Sequence, residues 1–179
     1  TTEVRTGNDI VEALNWRYAT KKFDPEKKLV DEQVESLLET IRLSASSMGL
    51  QPYRFIHVKD EALRRELRSH SYDQPQITDA SELIVFAAKA KFTDEDIRQI
   101  VGREGEIRGY SQDRIEKRIK SVTKYVSGKS PDEFFAWAGR QTYIAIGNLL
   151  SAAALMSVDA CPMEGIKGEH YDRILGLET

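Results

Sequence analysis

Arg17, Lys21 and Lys22 crowd into the stretch Asn15-Trp16-Arg17-Tyr18-Ala19-Thr20-Lys21-Lys22-Phe23-Asp24, around the hydroxyls of Tyr18 and Thr20. Arginine offers a planar fork to phosphate oxygens, and lysine offers a compact charge. Such a turn can hold an anionic ligand. Taken alone, the plainer reading is stronger: cations at the end of a helix complement its dipole. A second candidate is Ser44-Ala45-Ser46-Ser47-Met48-Gly49-Leu50-Gln51-Pro52-Tyr53. Its hydroxyls and glycine let a backbone approach a ligand closely, and the Gln51 amide can both donate to and accept from the edge of a planar heterocycle. It also reads simply as a helix-to-strand connection. Two further loops, Tyr72-Asp73-Gln74-Pro75-Gln76 and Pro162-Met163-Glu164-Gly165, are polar or glycine-bearing, and loops of that kind are more often plain connections.

The elements that must position these residues are mostly helices. Asn8 is a plausible cap for a helix from Asp9 to about Tyr18, with Ile10, Val11, Leu14 and Tyr18 at helical spacing. Asp31 is a second plausible cap, followed by Val34, Leu37, Leu38 and Ile41 on one face. Tyr53 to Val58 is rich in β-formers and reads as a strand, as does the apolar run from Leu83 to Ala88. Between them Glu61 to Ser69 forms a short charged helix. Thr93 with Asp96 resembles a capping box that opens a helix to about Val101, and a charged helix follows from Gln112 to Val126. Ser130-Pro131-Asp132-Glu133 is the clearest start signal, for a long helix to about Met156. From Tyr143 onward that helix is apolar on nearly every side, which predicts cover by other helices or another subunit. Val158 to Pro162 reads as a short strand, and Glu169 to Leu175 as a last helix. The pattern predicts one α+β domain over residues 1–179, with more helix than strand.

Composition narrows the function classes. The 179 residues carry 26 basic and 29 acidic side chains, a net charge of -3, so no phosphate-tracking surface for nucleic acid is expected. The longest apolar stretch, from Ala145 to Met156, is interrupted by Gly147, Asn148 and Ser151 and is too short for a membrane span. Residues 1–8 are polar and show no signal-peptide core, and the one cysteine, Cys161, offers no internal disulfide. A cytoplasmic protein is expected. The three histidines, His57, His70 and His170, form no nucleophile or metal arrangement; His57 reads as a satisfied structural residue. Cys161 reads as buried packing, and Asp94, Glu95 and Asp96 as first-turn helix acids. No metal is expected.

No single candidate is decisive, but their order along the chain is. Arg17-Tyr18-Ala19-Thr20-Lys21 precedes an acidic-capped helix, Ser46-Ser47 with Gln51-Pro52 precedes a strand, and Asp79-Ala80-Ser81 leads into another. A long helix then carries Gln141 and Gly147-Asn148, and Pro162 with Glu164-Gly165 follows it. From about residue 9 onward the sequence resembles the oxygen-insensitive NAD(P)H nitroreductases and their flavin and dihydropteridine reductase relatives. That resemblance implies an α+β fold with a central, mainly antiparallel sheet flanked by helices and a long buried helix at a homodimer interface. It implies FMN as cofactor, in sites at the subunit interface, and NADH or NADPH as hydride donor. Arg17 would contact the FMN phosphate, with Tyr18 and Ala19 in the same turn, and Lys21 would sit against the pyrimidine side. A fixed cation there stabilises the charge of reduced flavin. Ser46, Ser47 and Gln51 would reach the flavin from the partner subunit, and the amide of Gln141 would lie near it. Glu164 and Gly165 would face its N5 and O4 edge, with Asp73 and Gln76 in a flavin-edge loop. The implied reaction is ping-pong: hydride passes from the nicotinamide to the flavin, and a nitroaromatic, quinone or similar small acceptor then takes it. No catalytic residue is needed beyond the cofactor, with Lys21 and Glu164 the nearest candidates.

The sequence departs from the family pattern in places. Ala19 stands where relatives often place serine, which removes a possible phosphate contact. Asp73 stands where many carry asparagine; its carboxylate next to an electron-rich flavin requires a partner, for which Arg65 and Arg68 are candidates. Relatives also continue with another strand and a basic segment that completes the phosphate site, which residues 1–179 do not show. Other readings are an FMN-binding dimer of the same fold without turnover, and a dehalogenase-like or flavin-cleaving relative. The charge-rich segment from Arg103 to Ser130 is where a lid that separates such relatives would lie.

Overall fold

Element boundaries follow local chemistry closely. The computed structural model describes residues 7–177. In order these form α1 (Gly7–Trp16), α2 (Asp31–Arg42), a 3-10 turn (Ser47–Gly49), β1 (Tyr53–His57), α3 (Glu61–Ser69), α4 (Gln76–Asp79), β2 (Ile84–Ala88), α5 (Asp94–Arg108), α6 (Gln112–Ser127), α7 (Pro131–Leu155) and α8 (Gly168–Leu175). The start of α7 is set as expected: the Glu133 carboxylate accepts from Ser130 N–H at 2.8 Å, and Ser130 Oγ accepts from Glu133 N–H at 3.3 Å. Thr93 and Asp96 cap α5 in the same reciprocal way. At α2 the cap is Val30 and not Asp31, which is the first helical residue; Gln33 Oε1 closes the turn onto Val30 N–H at 3.1 Å. Asn8 lies inside α1.

Two expectations fail for tertiary reasons. The sheet itself is antiparallel as expected, with two strands among the described residues: Val58 N–H donates to Leu83 O and Lys89 N–H to Pro52 O. The expected strand from Val158 to Pro162 shrinks to one parallel bridge between Ala19 and Ala160. Helix α5 does not stop near Val101 but runs through Gly102 and Gly105 to Arg108, and ends at Gly109 with φ 63°. A Cβ on Gly105 would stand 2.5 Å from Ile115 Cδ1, so this glycine lets α5 lie close against α6 instead of breaking the helix.

Contacts divide the chain into two units. One comprises the chain up to Ser44, Phe55–Val85 and the chain from Ala145. Its core gathers Val58, Leu67, Ile77, Val85 and Tyr171. The other comprises Ala45–Arg54 and Phe86–Ile144, with Leu50, Ile97, Val101, Ile119, Val122, Phe134, Trp137 and Ala138 at its centre. Helix α7 is not enclosed all round: Ala145, Ala153 and Ala154 are buried, whereas Tyr143 and Ile144 are 56% and 43% exposed. The stripe on α1 is also open, with Ile10, Val11, Leu14 and Trp16 each about half exposed. No described helix is long and apolar enough to cross a membrane.

In the second unit Lys89 pairs with Asp96. Burial pushes the Asp96 carboxyl up, but hydrogen bonds from Lys89 and from the N–H and hydroxyl of Thr93 outweigh it and hold the group down at about 2. A carboxyl lowered in this way stabilises the fold above about pH 4 and loses that contribution as the pH falls toward about 2. Asp96→Asn is expected to cost about 1 kcal/mol near neutral pH, after allowance for solvent screening, with the cost falling away as the pH drops through about 2. Urea unfolding across that range checks it; parallel pH profiles for the two proteins would refute the assignment.

Candidate functional site

The turn 17–21 follows directly from the end of α1, where Arg17 N–H donates to Ala13 O at 3.1 Å. Three ties fix it to the segment after α7. Ala19 bridges Ala160, Thr20 N–H donates to Ala160 O at 3.3 Å, and the Thr20 hydroxyl donates to Asp159 Oδ1 at 3.0 Å. Thr20 is buried, while Tyr18 and Lys21 are exposed. Arg17 is half-buried, and its Nε is buried with no hydrogen-bond acceptor among the described residues. Leaving a charged donor in that state costs more than the roughly 1–3 kcal/mol of a neutral one, and a bound anion would remove the penalty. The turn thus fits the phosphate end of a nucleotide cofactor.

A few residues beyond Ala160, Glu164 is exposed and Gly165 is closely approached. Gln74 Nε2 donates to Gly165 O at 3.1 Å, and a Cβ on Gly165 would stand 3.0 Å from that nitrogen. Residues 164–165 therefore meet the loop after α3 through Gln74, and the turn 17–21 meets the same connection a few residues earlier, at Ala160. The loop opens with Tyr72 and Asp73, both left-handed at φ 53° and 54°, and closes through Gln74 N–H to Ser71 O at 3.1 Å. Asp73 Oδ1 accepts from Arg68 Nε at 2.8 Å, whereas Arg65 turns to Glu61, so Arg68 is the partner Asp73 needs. Gln76 is not in the open loop: it begins α4, is buried, and its Oε1 has no hydrogen-bond partner. A buried carbonyl-type acceptor awaiting a donor suits the edge of a hydrogen-bonding ring.

The second unit holds the remaining candidates. Ser46 Oγ accepts from Gln51 N–H at 2.9 Å, and Gln141 Oε1 accepts from Ser47 N–H at 2.8 Å. Buried Gln141 also donates to Trp137 O at 3.3 Å, so its amide braces the turn. Met48, Gly49 and Gln51 all take positive φ, a conformation that persists only when its surroundings fix it. Arg118 helps: its Nη2 donates to Met48 O at 2.9 Å while its Nε engages Glu104. The segment from Arg103 to Ser130, where a lid that separates rival relatives would lie, forms the end of α5 packed with α6, and Arg118 of α6 grips the turn.

Sequence reasoning gave little weight to several residues that position the site: Gln74, Arg64 and Arg118, and Asp159 as the anchor of Thr20. The signal for Arg64 is its spacing from Leu67, which puts it on the buried side of α3, where its guanidinium donates to Ile77, Ala80 and Ser81 carbonyls. His57 meets Glu82 as a structural pair, and Cys161 is only partly buried.

Residues 14–179 match the model described as the Nitroreductase family. A Bacillus subtilis (strain 168) protein provisionally named NAD(P)H nitroreductase YfkO is 38% identical over 176 residues, covering 94% of this chain and 80% of the relative. A Staphylococcus haemolyticus protein, provisionally named NAD(P)H nitroreductase SH0546, is 37% identical and covers 95% and 80%. Among solved structures, the provisionally assigned nitroreductase ydfN of Bacillus subtilis superposes with a TM-score of 0.86 at 16% identity, covering 97% of this chain and 83% of that one. A provisionally assigned nitroreductase from Exiguobacterium sibiricum, solved in complex with FMN, gives 0.81 at 19% identity, covering 100% and 84%. At those identities the structures speak for the α+β fold, and the sequence match speaks for descent: the chain belongs to the nitroreductase family.

Proposed function

We propose that the chain is an FMN-dependent NAD(P)H oxidoreductase that reduces nitroaromatics, quinones or similar small acceptors by ping-pong turnover in the cytoplasm. The observation that carries this reading is the anchored turn 17–21 with the buried, acceptor-free Nε of Arg17. FMN, when bound, would supply the hydride-transfer chemistry between NAD(P)H and the acceptor. The chain binds and orients. Arg17 holds the phosphate, and Thr20 keeps that turn in place through Asp159. Exposed Lys21 offers positive charge to the electron-rich reduced ring. Gln76 presents an unpaired acceptor, and residues 164–165, held by Gln74, offer main-chain groups. Ser46, Ser47 and Gln51, in a turn braced by Gln141 and Arg118, would serve the flavin of a second copy of the chain.

A homodimer is part of the proposal. Ile10, Val11, Leu14 and Trp16 on α1, and Tyr143 and Ile144 on α7, leave apolar side chains open that a second copy would cover. The test is an absorbance spectrum after incubation with FMN and removal of excess, followed by anaerobic NADH or NADPH. Bound flavin that bleaches with nicotinamide and recovers with a nitroaromatic or quinone is the expected result. Flavin that binds and never bleaches would instead indicate a binding protein without turnover.

A further inference from the structure

We infer that Arg68 is a positioning and charge-compensating residue for the 72–76 loop, and that through Asp73 it sets how strongly the reduced flavin is held relative to the oxidised one. This rests on the reading of the site given above. Arg68 stands in the last turn of α3, and its guanidinium spans two points. Nε donates to Asp73 Oδ1 at 2.8 Å, and Nη1 donates to Thr78 Oγ1 at 2.9 Å in α4. Thr78 in turn reaches Asp79 Oδ1 at 2.8 Å. One planar side chain therefore ties the left-handed turn at Tyr72 and Asp73 to the helix that begins with Gln76. Lysine carries the charge but not the rigid fork needed to hold both points.

The ion pair by itself adds little to folding. The Asp73 side chain is 81% exposed, and ion pairs so open to water contribute almost nothing to folding. Its chemistry makes sense at a site that gains negative charge. An unpaired carboxylate in this loop would repel a reduced flavin more than an oxidised one, and Arg68 cancels that repulsion at short range. Arg68 acts through Asp73 and the loop, and touches no reacting atom.

The experiment measures FMN dissociation constants in the oxidised and dithionite-reduced states, and the flavin midpoint potential, for the parent, Arg68→Gln, Arg68→Lys, Asp73→Asn and the double variant Arg68→Gln/Asp73→Asn. Arg68→Gln is expected to weaken reduced-FMN binding roughly threefold more than oxidised, with the potential falling accordingly. Asp73→Asn does not lower the potential, and adding it to Arg68→Gln restores the parent's ratio of the two constants. Arg68→Lys keeps that ratio while loosening both forms severalfold, because the charge survives and the fork does not. A purely structural role would change both constants together in every variant. An unchanged ratio in Arg68→Gln, or no restoration in the double variant, overturns the inference with the site reading intact. A parent protein that holds no FMN overturns the site reading and this inference with it.

Discussion

Arg17→Ala is expected to weaken FMN binding about 100-fold, as the loss of two charge-assisted hydrogen bonds to phosphate, about 3 kcal/mol together, requires. The same substitution is expected to leave the FMN-free protein as stable as the parent or slightly more so. Among the described residues the Arg17 Nε is buried with no acceptor, so removing it takes away a desolvation penalty at that atom. The turn itself does not depend on the guanidinium, since the ties to Ala160 and Asp159 come from Ala19 and Thr20. Arg17→Lys should fall between the two, with the charge kept and the fork lost. Fluorescence titration with FMN and urea unfolding without it give the two numbers. Loss of affinity without loss of stability is the signature of a binding residue; unchanged FMN affinity in Arg17→Ala would remove this turn from the cofactor site.

Much of this could be read from the sequence because the information was local. Ser130, Pro131 and Glu133 fix the start of α7 through bonds among themselves, and Thr93 with Asp96 does the same for α5. The cationic turn was legible by its residue types. What held it there was not: Thr20 meets Asp159 across 139 positions, and nothing near either residue announces the other. Gly102 and Gly105 mark a helix end by propensity, yet tertiary packing won, because the α5–α6 approach requires an absent Cβ at Gly105. Residues 158–162 have strand-like side chains, but only Ala160 finds a partner in Ala19, and a strand exists only where there is a neighbour to bond. Arg64 lies in a segment legible only as a short charged helix, and nothing local marks which of its charges is buried among carbonyls.

Arg64→Met is therefore expected to be the most destabilising of these substitutions, by about 3 kcal/mol, with a fall of roughly 10 °C in Tm. Arg64 is only 6% exposed, and its three nitrogens serve three carbonyls: Nε to Ile77 O at 2.8 Å, Nη1 to Ser81 O at 3.0 Å and Nη2 to Ala80 O. These are the carbonyls at and after the end of α4, which no helical N–H can satisfy. Burial lowers the Arg64 pKa from its ordinary value, while Glu82, Glu61 and Asp79 oppose that shift. The group stays charged at neutral pH, so its bonds to the carbonyls are of the strong, charge-assisted kind. Methionine fills a similar volume but leaves those acceptors in a place water reaches poorly, each at a cost of about 1–3 kcal/mol, partly relieved by rearrangement. Lysine can reach one or two of them, so Arg64→Lys should lose roughly half as much. Both variants should also loosen FMN, because the carbonyls Arg64 holds end the same short helix that Gln76 begins. Urea unfolding is the direct measurement. A methionine variant within about 0.5 kcal/mol of the parent would mean that the three carbonyls are satisfied without Arg64, and α4 would need another anchor.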